Sequence, residues 1–222
     1  MKISVVIPAY NEEKYIRNSL NSLKQQVEQP DEIIIVDNLS QDKTILIAKE
    51  FNVKVIEGRT KGIGHARSIG FDTVQNEIIA RCDADTVVPS NWIKKIKQNF
   101  SARIDALVGP VIYYDIFPRN DLASKFFLNF MKLVKGHYPL LGLNMAITKK
   151  MWQKVREKVC VDDKKVHEDI DLAIHVNRQG GTIGYDPDLA VKSSGRRIKH
   201  NVTSFFIEYP TRLIKTLRGP HL

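Results

Sequence analysis

Two aspartates separated by a single residue, Asp83-Ala84-Asp85, are the first candidates for chemistry in this chain. They follow the apolar run Ile78–Cys82, which is typical of a buried strand, and an extended backbone would direct both carboxylates to one side. Such a pair, with open coordination positions, suits Mg²⁺ or Mn²⁺ bound together with substrate phosphates. A solvated turn is the competing interpretation, because Asp-x-Asp triplets are common at average composition.

A second polar cluster follows the apolar run Ile33–Val36. Ser40 or Asp42 could simply cap the next helix. Capping does not account for Asp37 and Asn38, which lie nearer the predicted strand end and could hydrogen-bond a nucleobase edge there.

A third polar cluster, Pro8–Glu12, ends the first apolar run of the chain. Asn11 is a candidate helix cap, and Glu12 would be favourable at the positive end of the helix. Tyr10 could stack on a base or cover the sheet edge. By itself this segment favours the structural interpretation.

Two later segments have polar residues at predicted helix starts. Lys61–Gly70 combines glycines with cations, so Arg67 could contact a phosphate or a base, although the spacing is not that of a Walker A loop. In the second segment, Glu168 and Asp169 could be acidic residues of an ordinary first turn, or one of them could be a general base. The neighbouring His167 is interpreted as a surface residue rather than a metal ligand.

Short apolar runs alternate with helical patterns in the first half of the chain, which indicates βαβ units and a mostly parallel sheet. The predicted strands are Ile3–Ile7, Ile33–Val36, Val53–Ile56 and Ile78–Cys82, and helices are predicted around Gly62–Val74 and from Pro89-Ser90 onward. Ligands of such sheets bind beyond the carboxyl ends of the strands. All three polar clusters fall at those ends, so we expect them to converge.

The second half of the chain has a less regular pattern. The predicted elements are a strand at Leu107–Tyr113, an amphipathic helix at Leu122–Val134 with Phe126, Phe127 and Phe130, a loop at Gly142–Asn144 leading to a short helix near Lys149–Val155, a helix at Glu168–Arg178 and a strand at Thr182–Tyr185. The fold class predicted from both halves is α/β, with helices flanking the sheet.

The composition is ordinary for a globular protein, with 222 residues, 43% hydrophobic and 27% charged. The two cysteines do not form a disulfide framework and fit a reducing compartment. The apolar start lacks a signal-peptide pattern, and no stretch approaches the roughly 20 apolar residues needed to cross a bilayer. We therefore expect a cytoplasmic protein.

The net charge of +9 is concentrated at the C-terminus, where Lys192–Leu222 contains seven cations and one anion. Apolar residues recur at near-helical spacing from Val202 to Leu217, with cations between them. This tail, residues 201–222, could pack on the domain, or it could bind an anionic membrane surface at the inner face of the cell membrane.

Taken together, six segments resemble the motifs of the inverting glycosyltransferases of family 2, which have the GT-A fold. They occur in the family's order from about Lys2 to Val191, with Ser68 where asparagine is usual. The six segments are Ser4–Glu12, Val36–Asp42, Gly64–Gly70, Asp83–Asp85, Gly142–Ala146 and Glu168–Leu172. The resemblance implies one GT-A domain at residues 1–200, with a nucleotide-sugar half at 1–115 and an acceptor half at 116–200.

The resemblance also implies roles for individual residues. Asp37 or Asn38, with Arg67, would read the nucleobase, Asp83 would hold the ribose or assist the metal, Asp85 would bind Mn²⁺ or Mg²⁺, Asp169 would be the catalytic base, and Glu168 would help to position the acceptor. The other residues implied to bind substrate are Pro8, Ala9, Tyr10, Glu12, Ala84 and Asn144. Family members often supply a late histidine to the metal, but Ser193-Ser194 occupy that place here. His200 is a later candidate, and Arg196 and Arg197 could instead bind the diphosphate.

The reaction implied is hexosyl transfer from a nucleotide-diphosphate sugar to a hydroxyl acceptor, either a growing glycan or a lipid-linked molecule. One alternative is a catalytically silent nucleotide-sugar binding module. A basic nucleic-acid-binding domain is a weaker one, because no recognised motif supports it and nucleic acid is not an expected partner. A nucleotidyltransferase would need a glycine-rich first loop, which is missing.

Overall fold

The computed structural model describes residues 1–58, 60–200 and 208–219, without the side chains of Arg197 and His200. Strands and helices alternate regularly through the first hundred residues. The elements there are β1 (Ile3–Ala9), α1 (Ile16–Lys24), β2 (Glu32–Asp37), α2 (Thr44–Ala48), β3 (Lys54–Glu57), α3 (Ile63–Thr73), β4 (Ile78–Arg81) and α4 (Trp92–Phe100). All four strands lie where the apolar runs predict them.

The second half contains shorter strands and most of the long helices. Its elements are β5 (Ala106–Val108), β6 (Val111–Tyr113), α5 (Leu122–Lys135), β7 (Met145–Thr148), α6 (Lys149–Val155), α7 (Glu168–Arg178), β8 (Ile183–Tyr185), β9 (Val191–Ser193), α8 (Arg196–His200) and α9 (Tyr209–Arg218). The helices predicted at Leu122–Val134, Lys149–Val155 and Glu168–Arg178 are confirmed.

A mixed seven-stranded sheet with the order β3-β2-β1-β4-β7-β5-β8 forms the centre of the fold. Strands β1 to β4 are parallel, whereas β7 is antiparallel to both β4 and β5. A separate two-stranded sheet pairs β6 with β9. Because the four parallel strands run the same way, the loops after β1, β2 and β4 emerge at one edge of the sheet.

Both faces of the central sheet are covered, which explains why its strands are almost continuously apolar. Alternate residues of β1 point to opposite sides: Val5 and Ile7 pack in the cluster that contains α1 and α4, and Val6 packs in the cluster that contains α3 and α7. All three side chains are fully buried. The sheet therefore provides a rigid support for the polar loops at its edge.

The single strand predicted at Leu107–Tyr113 is wrong, because Gly109-Pro110 divides this segment into β5 and β6. The two strands belong to different sheets, and a proline lacks the N–H that would continue the ladder. Strands β7 and β9 are not predicted by the apolar pattern. Each has only three or four residues, so no periodicity can develop.

Helix α5 differs from an ordinary amphipathic helix in what it exposes. Its buried residues are Leu128 and Met131. Phe126 and Phe130, which the sequence pattern would assign to a packed face, are 73% and 50% exposed. The helix prediction is therefore right, but Phe126 and Phe130 face solvent.

The part of the tail that the structure describes forms α9, and residues 201–207 and 220–222 lie outside it. Thr216 is buried against α7, where its hydroxyl accepts a hydrogen bond from the His167 N–H at 2.9 Å. Arg212 donates to the Asp163 carbonyl oxygen at 2.6 Å. The described tail therefore packs on the domain.

Cys82 and Cys160 are both buried free thiols. Among the helices in the described part of the chain, none is both long enough and apolar enough to span a bilayer.

Candidate active site

Several hydrogen bonds join the loop that follows β1 to the loop that follows β2 and to the first residue of α2. The N–H groups of Asn11, Glu12 and Glu13 donate to Ser40 Oγ (3.1 Å), Thr44 Oγ1 (2.7 Å) and Asp42 Oδ2 (3.1 Å), and Gln41 N–H donates to Asn11 Oδ1 (2.8 Å). Asp42 also accepts from the N–H of Thr44, the first residue of α2, but Lys43 and not Ser40 or Asp42 occupies the N-cap position. Asn11 is not the cap of α1, which begins only at Ile16.

Asp37 and Asn38 lie at the carboxyl end of β2, as predicted. Asp37 Oδ1 accepts from Ser40 N–H at 2.9 Å, and Asn38 Oδ1 accepts from Gly62 N–H at 3.0 Å. These bonds fix the orientation of both side chains and leave further hydrogen-bonding groups available, because a carboxylate accepts several hydrogen bonds and an amide also donates two. Both therefore retain groups that could bind a nucleobase.

In the Pro8–Glu12 segment that ends β1, the side chains of Tyr10 and Asn11 are exposed. Pro8 and Ala9 are buried in the strand, so they can offer a ligand only backbone atoms. The Lys61 ammonium contacts Tyr10, lying 2.8 Å from its hydroxyl and 4.2 Å from the ring centroid. Tyr10 and Lys61 thus form an aromatic and cationic surface beside the β2 loop.

The extended backbone expected for Asp83-Ala84-Asp85 is wrong. Strand β4 ends at Arg81, and the aspartates lie in a turn in which Thr86 N–H donates to the Asp83 carbonyl oxygen at 3.0 Å. Ala84 is buried beneath this turn. The chain must turn at this point because it leaves the sheet edge, but the predicted place of the pair, directly beyond β4, is confirmed.

Arg196 connects Asp85 with the loop after β1. Its guanidinium lies 3.4 Å from Asp85 Oδ2, bonds the Glu12 carboxylate and stacks 4.5 Å from the centroid of the Tyr15 ring. Ser193 donates its hydroxyl to Asp85 Oδ1 at 3.1 Å. The segment where a late histidine was sought therefore does reach Asp85, through a serine and an arginine.

Glu12 contributes a second negative charge to this cluster. Burial raises the pKa of its carboxyl, Arg196 opposes that effect, and the charges of Asp85 and Asp83 reinforce it. Its Oε2 is buried without a hydrogen-bond partner among the described residues. Such an orphaned carboxylate oxygen beside two aspartates favours a cationic or hydrogen-bond-donating ligand.

The carboxylates of this cluster fit a divalent metal that substrate phosphates and water help to hold. In the portion of the chain that the structure describes, no three His, Cys, Asp or Glu side chains are grouped so that they could hold an ion by themselves. Mg²⁺ and Mn²⁺ are commonly held by one or two carboxylates together with substrate phosphates and water. Asp85 and Asp83 provide oxygen ligands of this kind, so the donor set fits.

Asp169 lies at the start of α7, and two backbone N–H groups fix its carboxylate. Oδ2 accepts from Gly142 at 2.9 Å, and Oδ1 accepts from Ile170 at 2.9 Å. Burial raises the pKa of Asp169, and the charge of the adjacent Glu168 raises it further. Asp169 is therefore an oriented carboxylate with increased basicity, as a general base requires.

Glu168 is enclosed between two buried arginines and does not face an open cleft. Arg67 Nη1 lies 2.6 Å from one carboxylate oxygen, and Arg81 Nη1 lies 2.5 Å from the other. Burial alone would raise the pKa of Glu168, but the two guanidinium charges outweigh it and lower the pKa. Glu168 is therefore ionised, and both of its carboxylate oxygens are bonded to arginines. The acceptor-positioning role expected for it is not supported.

Arg67 is placed differently from its expected position at the donor base. It is fully buried, bonds both the carboxylate and the carbonyl oxygen of Glu168, and packs against the Trp152 ring. Because α3 presents this side chain to the domain interior, Arg67 cannot contact a nucleotide in this arrangement.

Arg81 is a site residue that the sequence motifs do not indicate. Besides Glu168, it approaches Asp83 Oδ1 at 3.4 Å, and it packs so closely against Gly142 that a Cβ there would lie 2.6 Å from the guanidinium. An arginine at the end of an otherwise apolar strand is the one signal that could have shown it, because a buried cation requires a partner.

Asn144, expected on the acceptor side, is part of the core. Its side chain is fully buried, accepts from Trp92 Nε1 at 3.0 Å, and donates to the carbonyl oxygens of Pro110 and Leu189 at 2.9 and 2.7 Å. The amide has no remaining donor. The same motif reaches the site through the Gly142 N–H on Asp169 instead.

Tyr113 has a phenol whose pKa responds to the aspartate pair and to Asp169. Burial raises the pKa of its phenol to about 12, and the negative charges of Asp83, Asp85 and Asp169 add to the shift. Direct contacts link the clusters, because Arg196 joins Glu12 to Asp85. Arg81 joins Asp83 to Glu168, the neighbour of Asp169. The polar clusters expected to converge at the sheet edge do so, together with the start of α7.

The start of α7 also touches the tail. His167, the residue before Glu168, is partly buried, and its Nε2 lies 3.0 Å from the Tyr209 carbonyl oxygen. It is therefore a packing residue rather than the surface residue that was expected. The side chains of Arg197 and His200 lie outside the described part of the chain, so their predicted roles remain predictions.

Comparison with known proteins places the sequence among glycosyltransferases. It is 34% identical over 102 residues to the poly(ribitol-phosphate) beta-N-acetylglucosaminyltransferase TarS of Staphylococcus aureus, a match that covers 42% of this chain and 18% of that protein. It is 32% identical over 120 residues to glycosyltransferase GlyG of Streptococcus pneumoniae, covering 51% and 40%. The matches thus span less than half of these relatives.

Solved structures share the fold. The mannosyltransferase PcManGT of Pyrobaculum calidifontis, in complex with GDP-Man and Mn²⁺, superposes with a TM-score of 0.75 at 18% identity, covering 98% of this chain and 63% of that one. S. aureus TarS 1-349 superposes with a TM-score of 0.70 at 21% identity, covering 94% and 65%. The sequence model described as Glycosyl transferase family 2 matches residues 4–161. Because that match covers most of the chain and the fold agrees, this protein is a GT-A glycosyltransferase that belongs to glycosyltransferase family 2.

Proposed function

We propose that the protein transfers a sugar from a nucleotide-diphosphate sugar to a hydroxyl acceptor, with a divalent metal and with inversion at the anomeric carbon. The observation that carries this proposal is the Arg81 guanidinium, which contacts both Asp83 and Glu168, the neighbour of Asp169. It brings a candidate metal and donor site next to a candidate base. Solved structures of similar fold contain UDP-GlcNAc or GDP-Man with Mn²⁺, which supports a donor of this class.

The donor would lie across the loops after β1, β2 and β4. Asp37 and Asn38 offer hydrogen-bonding groups for the base, and Tyr10 offers a ring on which it could stack. Asp83 would serve the ribose, and Asp85 would hold Mn²⁺ or Mg²⁺ on the diphosphate. A bound divalent metal would offset the charge that develops on the leaving diphosphate.

Arg196 would bind the diphosphate from the opposite side. Its guanidinium is held over Tyr15 by Glu12 and Asp85, so it is positioned before a donor arrives. Guanidinium groups bind phosphate oxygens in a bidentate manner, and such charge-assisted bonds are stronger than neutral ones. Arg196 therefore supplies positive charge where the leaving group gains negative charge.

Asp169 would remove the proton from the acceptor hydroxyl as its oxygen attacks the anomeric carbon. The Gly142 N–H holds the carboxylate in place, and its raised pKa makes it a better proton acceptor than an exposed aspartate. Attack from the side opposite the departing nucleoside diphosphate would invert the anomeric configuration. The bond to the acceptor forms as the bond to the diphosphate breaks.

A thermal-shift screen of UDP, GDP and dTDP, each with and without Mn²⁺, tests the donor and metal parts. We expect one nucleotide to raise the Tm, with a larger rise when Mn²⁺ is present, because ligands that bind only the folded state stabilise it. Asp85→Asn is the matched variant and should lose the Mn²⁺-dependent part. No metal-dependent shift with any nucleotide would contradict the proposal.

Asp169→Asn separates catalysis from donor binding. The variant should retain the nucleotide-induced Tm shift but lose about 10²–10⁴-fold in transfer rate, the usual contribution of a general base. A fully active variant would exclude Asp169 as the base. An inactive wild-type protein that still binds the donor would instead indicate a silent binding module.

A lipid-linked acceptor at an anionic membrane surface is part of this proposal, motivated by the basic tail. On α9, Ile214, Lys215 and Arg218 are exposed on the side away from α7. Cations near an anionic membrane each contribute roughly 1 kcal/mol of attraction. Deleting residues 204–222 should therefore weaken co-sedimentation with anionic liposomes, and unchanged co-sedimentation would argue against a role for the tail.

A further inference from the structure

The outer surface of α5 carries a stripe of exposed apolar side chains. Leu128 and Met131 point into the protein, and the opposite side of the helix carries apolar side chains spaced four, four and three residues apart. We call this set the α5 outer face, which consists of Leu122, Phe126, Phe130 and Leu133. Residues at such spacing share one side of a helix, so they form a continuous stripe.

This stripe is strongly exposed. Leu133 is 83% exposed, Phe126 is 73% exposed, and the rings of Phe126 and Phe130 stack on each other with centroids 6.1 Å apart rather than packing into the core. Large apolar side chains exposed singly are common, but contiguous ones mark an interaction surface.

Positive charge accompanies the stripe. The segment from Arg119 to Lys135 contains four cations and one anion, and that anion, Asp121, is paired with Lys125 at 3.0 Å. At the C-terminal end of α5, Lys135 Nζ donates to the Leu217 carbonyl oxygen at 3.1 Å. This contact places the end of basic α9 beside the end of α5, so the cations of both helices lie around one region.

We propose that the α5 outer face inserts into the interfacial region of an anionic lipid bilayer. An in-plane helix with phenylalanine and leucine on one side and lysines beside them has the composition of interfacial membrane helices. Its 14 residues would extend about 21 Å along the membrane, with the apolar side chains reaching roughly 5–10 Å below the headgroups.

Charge decides between a bilayer and a second copy of this chain as the occupant. Two copies meeting through their outer faces would bring their lysine-rich flanks together, where like charges repel. Anionic headgroups would instead neutralise those lysines while the acyl region receives the aromatic rings. The proposal assigns the apolar contact to α5, so its test is separate from the tests of the donor site and of the tail deletion.

Vesicle flotation with the full 222-residue chain tests the proposal. Vesicles of phosphatidylcholine with phosphatidylglycerol should carry the protein upward, and pure phosphatidylcholine vesicles should carry much less. Phe126→Glu and Phe130→Glu should each lower the partition coefficient by about tenfold or more, because each removes an aromatic side chain that would lie in the apolar region of the bilayer. Both positions are exposed, so the Tm of each variant should remain close to that of the wild type.

Leu46→Glu is the matched control, because Leu46 is a 65% exposed leucine on α2 and outside the α5 outer face. It should float like the wild type. Flotation of Phe126→Glu at the wild-type level would overturn the proposal, as would equal binding of neutral and anionic vesicles. A wild-type protein that ignores vesicles but forms a dimer that Phe126→Glu dissociates would show that a second copy covers this face.

Discussion

Arg81 Nη1 lies 2.5 Å from a Glu168 carboxylate oxygen, although 87 residues separate the two in the sequence. The same guanidinium approaches Asp83 at 3.4 Å. It therefore connects the strand that ends at the aspartate pair with the helix that carries the candidate base. Burial alone would lower the pKa of Arg81, but the charges of Glu168 and Asp83 raise it, so the arginine remains charged.

Replacing this cation should lower both stability and activity. In Arg81→Met, the carboxylates of Glu168 and Asp83 lose the guanidinium that they share in the protein interior. Breaking a buried ion pair on one side typically costs roughly 3–5 kcal/mol, so we expect a loss of that order in the free energy of unfolding, measured by urea denaturation. Arg17→Met, which breaks the exposed pair with Glu50, is the control and should leave the midpoint nearly unchanged. A stable, fully active Arg81→Met would contradict the connecting role.

As the pH is lowered, the transfer rate should begin to fall at a higher pH than it would if the base had the pKa of an ordinary aspartate. Asp169 must be deprotonated to accept a proton, and burial with the charge of Glu168 raises its pKa above 3.8. The acid limb of the kcat/KM profile should therefore lie above that value and be retained in the exposed control Asp188→Asn. A limb at the usual aspartate pKa would show that Asp169 is not the titrating base.

The raised pKa of Asp169 also affects how stability depends on pH, with a sign opposite to that of an aspartate whose pKa is lowered by an ion pair. The folded state binds the Asp169 proton more tightly than the unfolded state does. The stabilisation that results is complete below the unfolded-state pKa of Asp169 and is lost as the pH rises through its folded-state pKa. Asp169→Asn should remove this part of the pH dependence of the free energy of unfolding.

Arg196→Met should have opposite effects on two ligands. Loss of the positive charge next to Asp85 should allow the carboxylates to bind Mn²⁺ alone more tightly. The nucleoside diphosphate loses a charge-assisted partner, so its affinity should fall on the order of tenfold. Isothermal titration of each ligand checks both effects, with Lys199→Met on the same helix as the control. Equal losses for metal and nucleotide would contradict the placement of Arg196.

Asn144→Ala should destabilise the protein without a specific effect on the acceptor. The change leaves the Trp92 N–H and two carbonyl oxygens without their partner, and each buried unsatisfied group costs about 1–3 kcal/mol. Urea denaturation should show the loss, whereas the acceptor KM of the folded fraction should stay the same. Asn129→Ala, on the surface of α5, is the matched control. A raised acceptor KM at unchanged stability would restore the role that the motif implied.

The site could be located from the sequence because the strands that carry it are long enough to show their pattern. Ile3–Ala9 and Glu32–Asp37 are buried on both faces, so apolar runs mark them and their polar ends are visible. The directions of individual side chains were not predictable in this way. Arg67 and Asn144 are polar residues within motifs, but the pattern cannot distinguish a side chain that faces a ligand from one that satisfies a buried partner.

Contacts between distant segments account for the other differences. Arg81 gains its role only from Glu168, and the short strands β7 and β9 are defined by the strands with which they pair rather than by their own residues. The exposed phenylalanines of α5 belong to the same category. Periodicity predicted the helix correctly, but it does not say whether the apolar side is covered by the rest of the chain.

The hydrogen bonds between the loops after β1 and β2 also bear on selectivity. Asn11 and Glu13 in the first loop are already hydrogen-bonded to Ser40, Gln41 and Asp42 in the second. A nucleoside therefore meets an ordered surface, and little loop entropy is lost when it binds. Recognition of the nucleoside should then resemble that of a rigid receptor, similar for every sugar attached to the same nucleotide. Discrimination among donors that share a base must consequently arise farther along the cleft, near Asp85 and Asp169, where the sugar itself would lie.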